Sequence, residues 1–112
     1  MILGNGIDII EIKRLETALK RRPLLLLRIF SEKEREYFKQ RLYNPSTIAG
    51  CFAAKEATVK AMGCGFVKDV RINYDESGKP LITVKGKEHI RFFASISHSK
   101  EYAAASVIAT RR

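Results

Sequence analysis

A chain of 112 residues has the length of one compact domain, so we expect residues 1–112 to form a single domain with one modest core. Hydrophobic residues make up 46% of the chain and charged residues 29%, which excludes a disordered chain. The formal net charge of +9 at pH 7 favours an acidic partner, whether nucleic acid, an anionic membrane surface, an acidic protein or a phosphorylated small molecule.

The first half of the chain carries the patterns of one strand and three helices. Alternation along the first strand puts Ile7 and Ile9 on one face and Asp8 on the other. Ser31 followed by Glu34 is typical of a capping box at the start of the second helix. The predicted elements are a strand over residues 2–10 and helices over residues 11–21, 32–43 and 47–62.

The third predicted helix has an interior rich in small residues, which suits a central helix packed closely against a sheet. It follows a break at Asn44-Pro45, so Ser46 is the expected N-cap. Gly63 is the expected end of the helix, because glycine readily adopts the left-handed conformation that closes a helix.

The second half of the chain is predicted to consist of strands. Its segments alternate β-favouring residues with polar ones and are separated by turn-forming residues. The order of one strand, three helices and further strands predicts an α+β fold in which an antiparallel sheet packs with three helices. The predicted strands cover residues 70–74, 81–85, 90–97 and 102–109.

Neither a membrane span nor a disulfide framework is expected. The longest apolar run, residues 24–27, is far too short to cross a bilayer. The first residues show no basic stretch before an apolar run and no cleavage site, so a cytoplasmic location is the default expectation. Cys51 and Cys64 are too few for a disulfide scaffold and too widely spaced for a CxxC metal site, so we expect reduced thiols partly in the core.

Asp8, Glu56 and Lys60 are the residues from which a catalytic site could be built. On its own, Asp8 is interpreted as a charge on the outward face of an edge strand. Glu56 and Lys60 share one helix face, where a surface ion pair contributes about 0.3 kcal/mol. The small, apolar helix around them and the adjacent Lys55 favour a second interpretation, in which Glu56 holds Mg²⁺ and the lysines contact phosphate oxygens. Such a site needs a second carboxylate, for which Asp8 is the candidate.

Three further segments have both a plain and a functional interpretation. Gly63 is a helix cap, and together with Gly65 it could expose backbone N–H groups to an anion. The segment from Ser97 to Ser99 is either a solvated loop or a set of short hydrogen-bonding groups for a phosphate. Residues 13–28 carry a single acid among many basic residues, which makes them a candidate docking surface for an acidic partner.

Three motifs follow one another along the chain. They are Gly-Ile-Asp-Ile-Ile-Glu-Ile-x-Arg over residues 6–14, Phe-Ala-Ala-Lys-Glu-Ala-x-x-Lys-Ala over residues 52–61 and Ser-Ile-Ser-His-Ser over residues 95–99. Together they resemble the signatures of the holo-[acyl-carrier-protein] synthase family, which are 4′-phosphopantetheinyl transferases. The chain departs from that family at Cys51, where the family usually has arginine, and at Cys64, where it usually has threonine between two glycines.

The resemblance implies a reaction, in which coenzyme A gives its phosphopantetheine arm to a serine of apo acyl carrier protein and adenosine 3′,5′-bisphosphate leaves, in support of fatty acid biosynthesis. By the family's pattern Asp8 and Glu56 bind Mg²⁺. Lys60 then neutralises charge on the phosphoryl group, and Glu56 is a candidate base, acting directly or through a water. The resemblance also implies a homotrimer with active sites between neighbouring subunits.

Contacts with both substrates are likewise implied by the resemblance. The basic first helix, with Arg14 and Arg21 as its leading residues, is expected to dock the acidic carrier protein. The residues expected to contact the nucleotide end of coenzyme A are Lys60, Gly63, Gly65, Lys79, Pro80, His98 and Ser99.

Two other hypotheses can be stated from the sequence. A small basic nucleic-acid-binding module would explain the net charge without a metal, but it leaves the Lys-Glu-x-x-x-Lys helix unexplained. A broader transferase acting on peptidyl carrier domains is disfavoured, because that branch resembles two such chains fused. We therefore expect acyl carrier protein, and no nucleic acid, as the partner.

Overall fold

The computed structural model describes all 112 residues of the chain. Five strands, four α-helices and one 3₁₀ turn follow one another along it. In chain order they are β1 (Ile2–Glu11), α1 (Ile12–Arg21), α2 (Leu24–Ile29), α3 (Glu32–Gln40), α4 (Pro45–Met62), the 3₁₀ turn (Val67–Asp69), β2 (Val70–Tyr74), β3 (Pro80–Val84), β4 (Ile90–His98) and β5 (Tyr102–Arg111). None of the helices combines the length and the apolar character that crossing a bilayer requires.

The strands form two antiparallel sheets rather than one. Strand β5 lies between β1 and β4 in a three-stranded sheet, while β2 and β3 form a separate hairpin. The predicted α+β class is confirmed, but the structure adds a second sheet and a fourth helix to the single sheet and three helices that were predicted. A local pattern identifies strands without saying which of them pair, because pairing depends on contacts between distant parts of the chain.

The helix that the sequence did not predict is α2, which directly follows Pro23. The sequence predicts an interruption there, since proline breaks a helix interior. Proline is nevertheless tolerated where a helix begins, because the N–H that it lacks would have no partner in that position. The chain therefore turns at Pro23 and resumes as a short helix, which packs Leu26 against the core.

The ends of α3 and α4 show which side chains cap these helices. The Glu34 N–H donates to Ser31 Oγ at 3.2 Å, and the Ser31 N–H donates to Glu34 Oε1 at 2.8 Å, which confirms the predicted capping box. Gly63 closes α4 with a φ of 75°, also as predicted. The predicted Ser46 cap is wrong, because the N-cap is Asn44, two residues earlier: Asn44 Oδ1 accepts a hydrogen bond from the Ser46 N–H at 2.9 Å.

Helix α4 is the centre of the fold and packs across the three-stranded sheet. Its alanines Ala53, Ala54 and Ala57 are completely buried, and their small side chains let the backbones of helix and sheet approach closely. A methyl group built on Gly6 of β1 would overlap with the carbonyl oxygen of Ala57, so only glycine fits at this contact. Asp8 lies two residues further along the same face of β1, and this close packing brings it against the C-terminal half of α4.

Candidate active site

Asp8 lies on the face of β1 that packs on α4. Its Oδ1 accepts a hydrogen bond from Lys60 Nζ at 3.0 Å, and the same ammonium donates to the carbonyl oxygen of Ile7 at 3.1 Å. The Asp8 side chain is only 14% exposed, whereas Ile7 and Ile9 on the opposite face are 69% and 66% exposed. The predicted alternation is confirmed, but the charge points inward and the isoleucines outward, so the interpretation of Asp8 as an outward surface charge is wrong.

Glu56 lies close enough to Asp8 for the two carboxylates to repel each other. Partial burial raises the pKa of Glu56, and the negative charge of Asp8 raises it further, against an opposing effect of Lys60. The second carboxylate oxygen of Asp8, Oδ2, is buried and has no hydrogen-bond partner. A divalent cation between the carboxylates would remove the repulsion and satisfy this oxygen. The pair therefore fits a hard cation.

The protein contributes two carboxylates to this site and no larger set of ligands. No group of three or more His, Cys, Asp or Glu side chains with the placement of a metal site occurs in the chain. This is compatible with Mg²⁺, which usually keeps several waters and takes one or two protein carboxylates, with substrate phosphates completing the octahedron. The Lys60 side chain lies beside the pair and is 55% exposed, so its ammonium is accessible to an anion.

Lys55 does not belong to this site, although it precedes Glu56 in the sequence. Its fully buried ammonium lies 2.7 Å from Glu34 Oε1 and donates to the carbonyl oxygen of Val70 at 2.6 Å. Glu34 Oε2 in turn accepts a hydrogen bond from the Ile72 N–H at 2.7 Å. The prediction that Lys55 contacts phosphate oxygens is therefore wrong. Neighbouring helical residues point about 100° apart, so a Glu56 that faces β1 leaves Lys55 facing the core.

Gly63 and Gly65 follow α4 and lie close to Lys60. Gly63 is three residues after Lys60, which corresponds to about 4.5 Å along the helix axis. The Gly63 N–H donates to the carbonyl oxygen of Val59 at 2.9 Å, so this group closes the helix and is not free for an anion. Gly65 also has a positive φ, 101°, and both it and Cys64 are exposed. The structure thus confirms the cap interpretation of Gly63 and places both glycines at the same end of α4 as the carboxylate pair.

A second cluster surrounds a surface cavity of about 230 Å³, which we call the His98 cavity. Pro80 and His98 line it, whereas Lys79 and Ser99, which were predicted to contact the same nucleotide, do not. No carboxylate lines the cavity. The other residues on its wall include Tyr37, Arg41, Thr47, Cys51, Tyr74 and Gly78.

Sequence reasoning missed Tyr37 and Arg41 as residues of the His98 cavity. Tyr37 lies in the last turn of α3 and Arg41 is the C-cap of that helix, and their spacing of four is the one sequence feature that connects them. Nothing local ties that side of α3 to β4, because the cavity joins elements that are distant in the sequence.

The two clusters do not form one site within a single chain. The His98 cavity touches α4 at Gly50 and Cys51, whereas the carboxylate site uses Glu56 and Lys60 of the same helix. The rise from Gly50 to Lys60 is about 15 Å along the helix axis. The predicted nucleotide contacts are therefore divided, with Lys60 at the carboxylate site and Pro80 and His98 at the His98 cavity.

Arg14 and Arg21 are both exposed on α1, and neither forms an ion pair. Seven residues make close to two helical turns, so the two arginines share one side of the helix. Leu15 and Leu19 pack against the core and hold the helix in place. The two guanidinium groups are thus available to an acidic partner.

Comparisons with known proteins agree on the family to which this chain is similar. A model of the 4′-phosphopantetheinyl transferase superfamily matches residues 4–107. A holo-[acyl-carrier-protein] synthase of Clostridium botulinum (strain Eklund 17B / Type B) is 44% identical over 119 residues, which cover 96% of this chain and 97% of the relative.

Solved structures of the same fold are similar over nearly the whole chain. A holo-(acyl-carrier-protein) synthase from Bacillus anthracis str. Ames in complex with CoA (3′,5′-ADP) has a TM-score of 0.85 and 40% identity, and the match covers 100% of this chain and 99% of that one. A Helicobacter pylori holo-[acyl-carrier-protein] synthase in complex with coenzyme A has a TM-score of 0.85 and 35% identity, with 95% and 99% covered.

Proposed function

The chain belongs to the holo-[acyl-carrier-protein] synthases of the 4′-phosphopantetheinyl transferase superfamily, and we propose that it transfers 4′-phosphopantetheine from coenzyme A to a serine of apo acyl carrier protein. The observation that carries this proposal is the cluster of Asp8, Glu56 and Lys60, in which two carboxylates and an ammonium meet. One oxygen of this cluster, Asp8 Oδ2, is buried without a hydrogen-bond partner. The complex of the Bacillus anthracis relative with CoA supports the donor. The proposal includes a cytoplasmic location and a role in fatty acid biosynthesis.

In this reaction the serine oxygen forms a bond to the phosphorus that carries pantetheine, the bridging P–O bond breaks, and adenosine 3′,5′-bisphosphate leaves with the bonding electrons. We assign Mg²⁺ to Asp8 and Glu56, where it would draw negative charge from the pyrophosphate and so favour transfer. Lys60 stabilises the charge on the phosphoryl oxygens. Glu56 is also the candidate base for the serine proton, acting directly or through a metal-bound water.

The acceptor would dock on the basic first helix. Only two ion pairs occur in the chain, Lys55 with Glu34 and Lys60 with Asp8, so the positive charges of Arg14 and Arg21 are uncompensated within the protein. Complementary charge guides an acidic partner to such a surface and fixes its orientation. This accounts for the net charge of +9 without invoking nucleic acid.

A homotrimer is the assembly we propose, following the family resemblance. The outer face of the three-stranded sheet supports an assembly, because it exposes a set of large apolar side chains that water would otherwise surround. They are Ile7, Ile9, Phe93 and Ile108. The division of the predicted nucleotide contacts between two clusters supports it as well, since a neighbouring copy could bring its His98 cavity to the carboxylate pair.

Replacing Ile7 by Asp is expected to dissociate the assembly, because it would bury an unpaired charge in an apolar contact surface. The measurement is molar mass by light scattering after size-exclusion chromatography. Leu42→Asp is the matched control, since Leu42 is 89% exposed but lies in the turn after α3, away from this sheet. We expect Leu42→Asp to keep the mass of a trimer and Ile7→Asp to elute as a monomer with little transfer activity. An unchanged mass for Ile7→Asp would exclude this face as the interface.

Intact mass spectrometry tests the proposed function. Apo acyl carrier protein incubated with the enzyme, coenzyme A and Mg²⁺ should gain about 340 Da, the mass of one phosphopantetheine arm, by metal-assisted transfer. A carrier protein whose acceptor serine is replaced by alanine should gain nothing, and chelation of the metal should stop the reaction. If several apo carrier proteins all keep their mass, the proposed function is wrong.

A further inference from the structure

The residue at position 51 raises the question of how this chain holds an anion in the His98 cavity. Cys51 stands where the resembled family usually has arginine, and its side chain is completely buried. Burial, together with the nearby charge of Glu34, raises the pKa of the Cys51 thiol to about 12. Position 51 therefore carries no positive charge, and its neutral thiol is a weak hydrogen-bonding group.

Arg41 places a guanidinium on the wall of the same cavity. Its central carbon lies 4.9 Å from the centre of the Tyr37 ring, so the cation rests on an aromatic face. Arg41 forms no ion pair, and no carboxylate lines the cavity to neutralise it. A guanidinium of this kind keeps its charge at any physiological pH and offers several N–H donors in one plane.

A stack of aromatic rings connects Cys51 to this arginine. The rings of Tyr37 and Tyr74 are stacked with their centres 4.1 Å apart and their planes 9° apart. The hydroxyl of Tyr74 lies beside the Cys51 thiol, and its pKa is raised by burial and by that contact. From the core outward the order is thus Cys51, Tyr74, Tyr37 and Arg41. The stack restricts the arginine side chain and directs it to the cavity that position 51 borders.

From this arrangement we infer that Arg41 binds the 3′-phosphate of coenzyme A, and so supplies the positive charge that Cys51 lacks. The inference rests on the proposed function. The pyrophosphate of the donor is assigned to Asp8, Glu56 and Lys60, which leaves the 3′-phosphate as the donor's other strongly anionic group. Besides Arg41, the cavity offers the imidazole of His98 and the hydroxyl of Thr47 as hydrogen-bonding groups for a phosphate.

Binding of two nucleotides that differ only in the 3′-phosphate tests the inference. Adenosine 3′,5′-bisphosphate and adenosine 5′-monophosphate are titrated calorimetrically into the full-length protein and into its variants. The unaltered protein should bind the bisphosphate about tenfold more tightly or better, since a hydrogen bond to a charged group is worth that much. Arg41→Ala should lose this preference while its affinity for the monophosphate is unchanged, which also reports that the variant is folded. Arg41→Lys should recover part of the preference.

Lys39→Ala is the matched control, because Lys39 is an exposed cation in the last turn of α3, two residues before Arg41, and lies outside the cavity. It should keep the full preference for the bisphosphate. In transfer assays Arg41→Ala should raise KM for coenzyme A, leave kcat unchanged, and leave KM for 3′-dephospho-coenzyme A unchanged. If Arg41→Ala keeps the preference of the unaltered protein, and that protein transfers phosphopantetheine, the inference is wrong and the proposed function stands. If the unaltered protein neither binds the bisphosphate nor transfers the group, both are wrong.

Discussion

Replacement of Asp8 by Asn, or of Glu56 by Gln, is expected to slow phosphopantetheine transfer about a thousandfold while leaving the protein folded. Each substitution keeps the size of the side chain and removes one of the two negative charges that would hold the cation. Two structural features support this expectation: Asp8 Oδ2 is buried without a hydrogen-bond partner, and the two carboxylates repel each other unless a cation lies between them. Initial rates of the mass gain of the carrier protein measure the effect.

Folding is expected to survive both changes. The ion pair of Asp8 with Lys60 joins a lysine whose side chain is 55% exposed, and such pairs contribute at most about 1 kcal/mol. Glu11→Gln is the matched control, because it removes the same charge from the exposed end of the same strand. This control should transfer at the rate of the unaltered protein. Near-normal activity in either Asp8→Asn or Glu56→Gln would show that the assignment of the cation to this pair is wrong.

Local rules were sufficient to predict the parts of the site that lie within single elements. Alternation along β1 separated Asp8 from Ile7, and the structure confirms that they occupy opposite faces. Helix periodicity placed Glu56 and Lys60 on one side of α4, and glycine chemistry predicted the end of that helix at Gly63. These predictions hold because each depends only on backbone geometry over a few residues.

Lys55 shows where local reasoning stops. The sequence presents Lys55, Glu56 and Lys60 as one charged cluster, and nothing within α4 states which of the two lysines faces the core. Glu34 on α3 decides which lysine faces the core, because its buried carboxylate lies 2.7 Å from the Lys55 ammonium. The same side chain makes the capping box with Ser31, so a feature predicted correctly from the sequence has a second partner that the sequence did not reveal.

The His98 cavity could not be predicted for a related reason. Its walls come from α3, α4, β4 and the hairpin of β2 and β3, and their meeting is a result of the packing of the whole domain. Sequence resemblance implied that Pro80 and His98 contact the nucleotide, but it could not point to Arg41, because the resembled family usually has its arginine at position 51. A basic side chain at position 41 or at position 51 can reach the same cavity. Only the folded structure shows that both positions border it.

Removing the carboxylate of Glu34 is expected to have the largest effect on stability. Glu34→Ala leaves the Lys55 ammonium buried without a counter-charge, which costs about 3–5 kcal/mol of unfolding free energy. It also removes the acceptor for the backbone N–H groups of Ser31 and Ile72. Denaturant unfolding at one fixed protein concentration measures the loss, since the proposed assembly would make apparent stability depend on concentration.

The matched control is Glu36→Ala, which removes an exposed carboxylate from the same helix and should change stability by no more than about 0.5 kcal/mol. The double variant Glu34→Leu with Lys55→Met should be more stable than Glu34→Ala alone, because it removes both buried charges together. If Glu34→Ala lost no more stability than Glu36→Ala, the buried pair would contribute nothing. The expected loss would link the stability of the fold to the carboxylate site. The contact that holds Lys55 in the core also fixes the rotation of α4, and this rotation turns Glu56 toward Asp8.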